Sequence, residues 1–429
     1  MYGGDGLARV APEVRSDDAD GRQEHRLKPV PPDSPDSEHR LKPVPQNSPV
    51  PSEGAGRVVL VPYVLPGELA SIEVGDDVHA ALANVIEASP DRAAPPCRYF
   101  ARCGGCHYQH APYEFQLARK VEILREQLRR VGKIEYAGEI EVVNGPPLGY
   151  RNRAQFHIEN GRIGYRATRS HELIDVAECP ISSPRVNEIL KLLRERMHDP
   201  RFPRFVHSIE VFSNETEVQI NATEADRPVA RTFYEWMGST VALDYPTSFG
   251  SFRVSPRSFF QVNRFLVEQL VEHAIGEETV GLSGELALDL YAGVGLFAIP
   301  LARRFRHVVA VEAGSAAIRD LEVNAERANV TITGEQAQVE DFLMRFDRKP
   351  DFVLADPPRA GLGKSVVASL NRLRASRLTI VSCDPATLAR DLAGLTAYKI
   401  DRLTLIDLFP QTYHLETIAT LRLKSERNS

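Results

Sequence analysis

Leu288-Asp-Leu-Tyr-Ala-Gly-Val-Gly295 follows an apolar run and opens a helix-length segment. Further along, Val353-Leu-Ala-Asp-Pro-Pro-Arg359 closes another apolar run with an acid and two prolines. The glycines at 293 and 295 let backbone come close to a ligand. Glu312 closes the next apolar run, 23 residues after Asp289. A carboxylate there is placed to accept hydrogen bonds from a ribose diol. The loop lacks the Gly-Lys-Ser/Thr ending of a triphosphate cradle. Ala298 at the third glycine position is allowed in a dinucleotide fingerprint, so a nicotinamide enzyme fits this loop taken alone. Asp356-Pro-Pro-Arg359 narrows the choice. Two prolines fix φ and remove two amide donors, leaving a stiff wall with exposed carbonyls where ligands of open α/β sheets bind.

Outward from these motifs, apolar strand candidates lie at Leu286–Tyr291, His307–Glu312, Asp351–Ala355 and Leu378–Cys383, with helix-length segments between them. That alternation predicts parallel β-α units. Two last strands, near Arg402–Phe409 and Glu416–Leu423, have a short link and predict an antiparallel hairpin at the sheet edge. The Asp-x-Tyr-x-Gly-x-Gly loop together with Asp-Pro-Pro resembles the class I S-adenosylmethionine-dependent methyltransferase fold, an α/β Rossmann-like domain.

The segment Leu378-Thr-Ile-Val-Ser-Cys383-Asp-Pro sets a thiol at the mouth of this crevice. A lone cysteine is often a small buried hydrophobe, but a thiolate in such a place can perform covalent catalysis. Phe409-Pro-Gln-Thr-Tyr-His414-Leu-Glu416 supplies a histidine and a carboxylate two residues apart, on one face of an extended segment.

In this order, Phe252-Arg-Val-Ser-Pro-Arg-Ser-Phe-Phe-Gln-Val-Asn263, the Tyr291 loop, Asp356-Pro-Pro-Arg, Ser382-Cys-Asp-Pro, and Phe409-Pro-Gln-Thr with His414 and Glu416 resemble the RNA uridine-C5 methyltransferases. The resemblance covers almost all residues after 56. It implies that Gln261, Tyr291, Glu312 and Asp356 bind S-adenosylmethionine, that Cys383 is the nucleophile and that Glu416 is the base. It departs at Leu296, where relatives often carry Asn, and no cofactor contact is carried over to that position. The implied chemistry is thiolate addition to C6 of uracil, methylation of C5, and proton removal by the base. The target base has to be flipped out or lie in a loop.

Cys97, Cys103, Cys106 and the distant Cys179 form a set of four. Spacing alone leaves zinc and an iron–sulfur cluster both open. The family resemblance, to the 23S ribosomal RNA branch, implies a 4Fe–4S cluster. Between Gln116 and Arg169 there are 11 Lys and Arg against 6 Asp and Glu, a local excess suited to phosphates and equally to a solvated helix face. Leu117, Val121, Leu124, Leu128 and Val131 mark one face of a helix that Gly132 is placed to end.

The N-terminal stretch is different. The octapeptide Glu24–Pro31 recurs at Glu38–Pro45, among Pro, Ser and Asp. This composition predicts disorder over 11–55. Tyr2–Arg9 resembles the first strand of a TRAM domain, a small RNA-binding barrel, resumed at Arg57. The expected organisation is therefore a barrel from 1–10 and 56–92 interrupted by an insertion at 11–55, a central α+β domain with the cysteines at 93–250, and a catalytic domain at 251–429.

Composition bounds the rest. The chain has 429 residues, a net charge of −6 and five cysteines. Five cysteines exclude a disulfide-built scaffold and point to a reducing compartment. No apolar run is long enough for a membrane span, and the start lacks a secretory pattern. The expectation is a cytoplasmic monomer acting on ribosomal RNA. A transfer-RNA enzyme is the alternative within the class. An RNA-binding or folding protein without catalysis, and an amino-group methyltransferase that has no need of Cys383, are alternatives outside it.

Overall fold

A computed structural model describes residues 5–9, 23–26, 58–74, 78–276 and 283–425. By its contacts the chain divides into two units, Met1–Ala101 with Cys106–Gln116, and Arg102–Gly105 with Leu117–Ser429. Among the described residues no helix is long and apolar enough to cross a membrane.

The first unit holds β1 (Asp5–Arg9), β2 (Gln23–Arg26), β3 (Val58–Pro62), β4 (Leu69–Val74) and β5 (Ala80–Glu87), with apolar residues alternating inward along β3 and β4. β1 pairs antiparallel with β3, Asp5 opposite Pro62 and Arg9 opposite Val58. β4 lies between β2 and β5. Val59, Val61, Ala70, Ile72 and Ala80 form the core. Gln23–Arg26 falls inside the stretch expected to be disordered, and it is a strand: its backbone supplies the pairing that the edge of β4 needs. The remainder of 11–55, including the second octapeptide, lies outside the described residues.

The second unit takes up helix α1 (Tyr113–Arg130) from Leu117 on. After β6 (Ile140–Val143) come β7 (Arg153–Glu159), β8 (Arg162–Arg166), β9 (Leu173–Asp175), α2 (Pro184–Arg196), β10 (Val206–Ser213) and β11 (Val218–Ala225). β7 to β11 make an antiparallel sheet in the order β11-β10-β7-β8-β9. Helix α3 (Arg231–Trp236) leads to the hairpin β12 (Leu243–Thr247) and β13 (Gly250–Val254).

Then the regular alternation begins: α4 (Val267–Ile275), β14 (Gly284–Leu290), α5 (Ala298–Ala302), β15 (Phe305–Glu312), α6 (Ser315–Arg327), β16 (Thr333–Gln336), α7 (Val339–Arg345), β17 (Phe352–Ala355), α8 (Gly363–Leu373), β18 (Arg377–Ser382), α9 (Pro385–Gly394), β19 (Tyr398–Ile406) and β20 (Glu416–Leu423). They form one eight-stranded sheet, ordered β16-β15-β14-β17-β18-β20-β19-β6. β14 to β18 are parallel, whereas β20 is antiparallel to both β18 and β19. The central strands are buried on both faces, as parallel sheets under helices must be. The order reverses between β14 and β17, which opens a crevice at the carboxyl ends of these strands. The final hairpin is inserted with β20 inside, and the edge is β6, parallel to β19. β6 thus belongs to the eight-stranded sheet although it stands within the 93–250 segment.

Candidate active site

The carboxyl end of β14 turns through Tyr291, Gly293 and Gly295, all with positive φ (63°, 54° and 92°). A Cβ on Gly293 would meet nothing within 4 Å, so the loop faces open space there. Glu312, at the end of β15, accepts the Gly293 amide at 3.0 Å and the Gly314 amide at 2.6 Å. A carboxylate offers about four lone-pair sites, so two stay available to a ligand. Asp289 is fully buried and neither of its oxygens has a hydrogen-bond partner. Burial first, then the charges of Asp356 and Glu312, push its carboxyl well up; the Ala298 amide softens the shift without satisfying either oxygen.

Asp356 stands just past β17, where burial pushes its carboxyl up to about 7. Cys383 follows β18 and precedes Asp384, whose side chain accepts the Ala386 and Thr387 amides and caps α9. Glu416 is the first residue of β20 and is buried. Ser382 pairs with Thr417 at the end of the ladder, so Cys383, just past β18, and Glu416, at the start of β20, flank the same rung. Burial and then the Glu416 charge push the Cys383 thiol up to about 12, with Asp356 adding and Arg359 opposing. Burial and then Asp356 hold the Glu416 carboxyl well up, and Arg359 again opposes. One exposed guanidinium therefore acts on both groups. Arg359 also lies 3.3 Å from each ring nitrogen of His414. The loop that carries Arg359 is clamped to α9: Asp391 accepts the Leu362 amide and Arg390 donates to Ala360 O.

Gln261 is buried on the segment that follows β13. Two residues of α6 hold that segment. Asp320 accepts the Ser255 amide and the hydroxyls of Ser255 and Ser258 at 2.6–2.7 Å. Asn324 accepts the Arg253 amide and donates to the carbonyls of Arg253 and Val294. The amide of Asn324 thus ties the Gln261 segment to the glycine loop.

The structure brings together Cys383, Glu416 and Asp356, with Asp289 and Glu312 on the neighbouring strand ends. Arg359, Asp289, Asp320 and Asn324 are parts of the assembly that the sequence reading assigned no role. Arg359 had a signal, since it closes Asp-Pro-Pro-Arg. The other assigned residues, Cys97 and Cys106, belong to the first unit, and Cys103 and Cys179 to the second. Cys179 and Cys103 both act on the buried Tyr165 phenol, which burial chiefly holds well above its ordinary value. Among the described residues, no group of three or more His, Cys, Asp or Glu side chains is placed to hold a metal ion.

Comparison with known proteins bears on this geometry. Residues 248–424 match the family model described as tRNA (uracil-5-)-methyltransferase. The chain is 33% identical over 414 residues to a 23S rRNA (uracil(1939)-C(5))-methyltransferase of Halomonas elongata, covering 85% of each protein. It is 32% identical to the protein of the same description from Pseudomonas putida, covering 85% of this chain and 88% of that one. Among solved structures it resembles the tRNA (uracil-54, C5)-methyltransferase of Pyrococcus abyssi, in complex with S-adenosyl-L-homocysteine. The TM-score is 0.67 at 28% identity, over 86% of this chain and 97% of that one.

Proposed function

Because the chain belongs to the RNA uracil-C5 methyltransferase family, we propose that it methylates C5 of a uridine in 23S ribosomal RNA through a covalent adduct between Cys383 and C6. The observation that carries this reading is the β18–β20 register, which sets a thiol against a carboxylate at the mouth of the crevice.

The residues fit S-adenosylmethionine. Asp289 offers two orphaned buried oxygens, and the backbone at Gly293 borders open space. Glu312 has lone pairs to spare for a ribose diol, and Tyr291, Gln261 and Asp356 complete the proposed holding set. When bound, the sulfonium supplies the methyl group.

The protein's own part is acid–base and nucleophilic work. C5 of uracil is a poor nucleophile. The Cys383 thiol gives up its proton to solvent, the thiolate sulfur bonds to C6, and the C5–C6 π electrons move toward O4 as an enolate, which makes C5 reactive. Arg359, the guanidinium that acts on Cys383 and Glu416, favours the charged forms of both. Once C5 carries its methyl, Glu416 takes the C5 proton. The electron pair re-forms the double bond and expels the thiolate. Burial keeps the Glu416 carboxylate basic enough for that transfer.

Two further assignments belong to the same reading. The N-terminal unit, with β1 paired to β3 across the inserted segment, serves as a TRAM-like barrel for RNA. For Cys97, Cys103, Cys106 and Cys179 the family resemblance implies a 4Fe–4S cluster with a structural role. The ligand group is not assembled among the described residues, and the methyl transfer above uses none of the four cysteines. Anaerobically purified protein should carry about four irons per chain. Stoichiometric zinc without iron would overturn the assignment.

The experiment for the main reading is methylation of 23S ribosomal and transfer RNA transcripts with a labelled methyl donor, the product mapped by mass. 5-Methyluridine in the 23S transcript alone is expected. Label in transfer RNA alone would contradict the ribosomal assignment.

A further inference from the structure

A second polar cleft lies outside the crevice, within the same unit. It has a volume of about 400 Å³, in the range of small-molecule sites. Its walls come from the β10–β11 turn, the end of β12 and the first turn of α4; Glu215, Tyr245, Arg264, Phe265, Glu268 and Gln269 are among the residues that line it.

Two acceptors in this cleft lack donors. Glu215 Oε1 and Gln269 Oε1 are both buried and without a hydrogen-bond partner. Their surroundings are built rather than loose. Glu215 sits at φ 75°, its amide held by Ser213 Oγ, while Asn214 Oδ1 accepts the amides of Thr216 and Glu217. Arg264 Nη1 lies 3.5 Å from Glu215 Oε2, and its Nε donates to Gly149 O. The guanidinium lies over the Phe265 ring, 4.4 Å from its centroid, and gives the cleft a flat cationic wall.

Charge and donor count select the ligand. Two carboxylates against one guanidinium disfavour phosphate. A planar neutral group with adjacent N–H donors satisfies the acceptors and stacks on the wall. Among RNA bases, guanine presents N1–H and the 2-amino group side by side. Adenine and cytosine set a single amino group beside a ring acceptor, which a carboxylate repels. Uracil offers one N–H between two carbonyls. Asn263, next to Arg264, donates to Leu408 O on the connection that leads to Glu416.

We propose that this cleft holds an unstacked guanine of the RNA substrate, read by Glu215, while the uridine occupies the crevice. The inference rests on the family's RNA methyltransferase activity. The first test is Glu215→Gln with a 23S transcript. KM for RNA should rise about tenfold, the size of one lost bidentate base contact, while kcat falls no more than twofold. Thermal midpoint and S-adenosylhomocysteine affinity should not move. The second test is photo-crosslinking with a 23S transcript in which 6-thioguanosine replaces guanosine. The adduct should fall on the peptide with Arg264 and Phe265, and Glu215→Gln should lose it. An unchanged KM, or crosslinks confined to other peptides while methylation proceeds, would overturn the guanine site and leave the methyltransferase reading standing. Wild-type protein that methylates neither 23S nor transfer RNA would refute both.

Discussion

Cys383 and Glu416 flank the last rung of one ladder: β18 and β20 run antiparallel with Ser382 opposite Thr417, Cys383 stands one residue past the end of β18, and Glu416 is the first residue of β20. The Glu416 charge raises the cost of ionising Cys383, the Asp356 charge raises that of ionising Glu416, and Arg359 relieves both.

The Cys383 thiol should therefore be sluggish. With Cys383 held near 12, its thiolate fraction grows tenfold with each pH unit across the neutral range. Alkylation of Cys383 by iodoacetamide, followed by peptide mass, should climb without a plateau up to pH 10. Arg359→Met should slow it further, since the guanidinium is the group pulling the thiol down. A plateau near pH 8.5 would show an ordinary thiol.

Asp289 is tuned for a ligand at the expense of the free fold. Its folded carboxyl lies well above the ordinary value of 3.8 because it is buried beside Asp356. A carboxyl raised on folding makes stability decline as pH rises from about 4 toward the folded value. Asp289→Asn removes that decline. The variant should gain in thermal midpoint over wild type, more at pH 8 than at pH 5. Its affinity for S-adenosylmethionine should fall. Equal gains at both pH values would contradict this account.

Lys120 and Asp407 make a fully buried ion pair at 2.6 Å, and Lys120 also donates to Phe409 O. Tyr150 donates to Pro410 O on the same connection. Breaking a buried pair by removing one partner costs about 3–5 kcal/mol. Lys120→Met should lose stability on that order in urea denaturation, and kcat should fall because the connection leads to Glu416. Lys120→Met with Asp407→Leu should regain most of the stability. A single variant as stable as wild type would show that the pair is not strained by burial.

Much of this was legible in the residues. The apolar runs before Tyr291, Glu312, Asp356 and Cys383 became parallel strands, since strands buried on both faces read as near-continuous apolar runs. β16, Thr333-Gly-Glu-Gln, carries no apolar signal; it is an edge strand held by β15. β6 is four residues long, too short for a period to show. Asp320 and Asn324 look like a solvated helix face, yet both are buried, because the segment before Gln261 folds over them. The opposition of Cys383 to Glu416 depends on register between strands distant in sequence, which periodicity does not encode. There the family resemblance supplied what the residues alone did not.

The covalent step is the central claim, and Glu416→Gln tests it most directly. Addition and methylation can precede the blocked proton removal, so the variant should accumulate a protein–RNA adduct. Labelled 23S transcript, incubated with S-adenosylmethionine and run on a denaturing gel, should show a slow RNA-containing band that disappears in Cys383→Ala with Glu416→Gln. No such band with Glu416→Gln, or the same band without Cys383, would contradict a Cys383–C6 adduct resolved by Glu416.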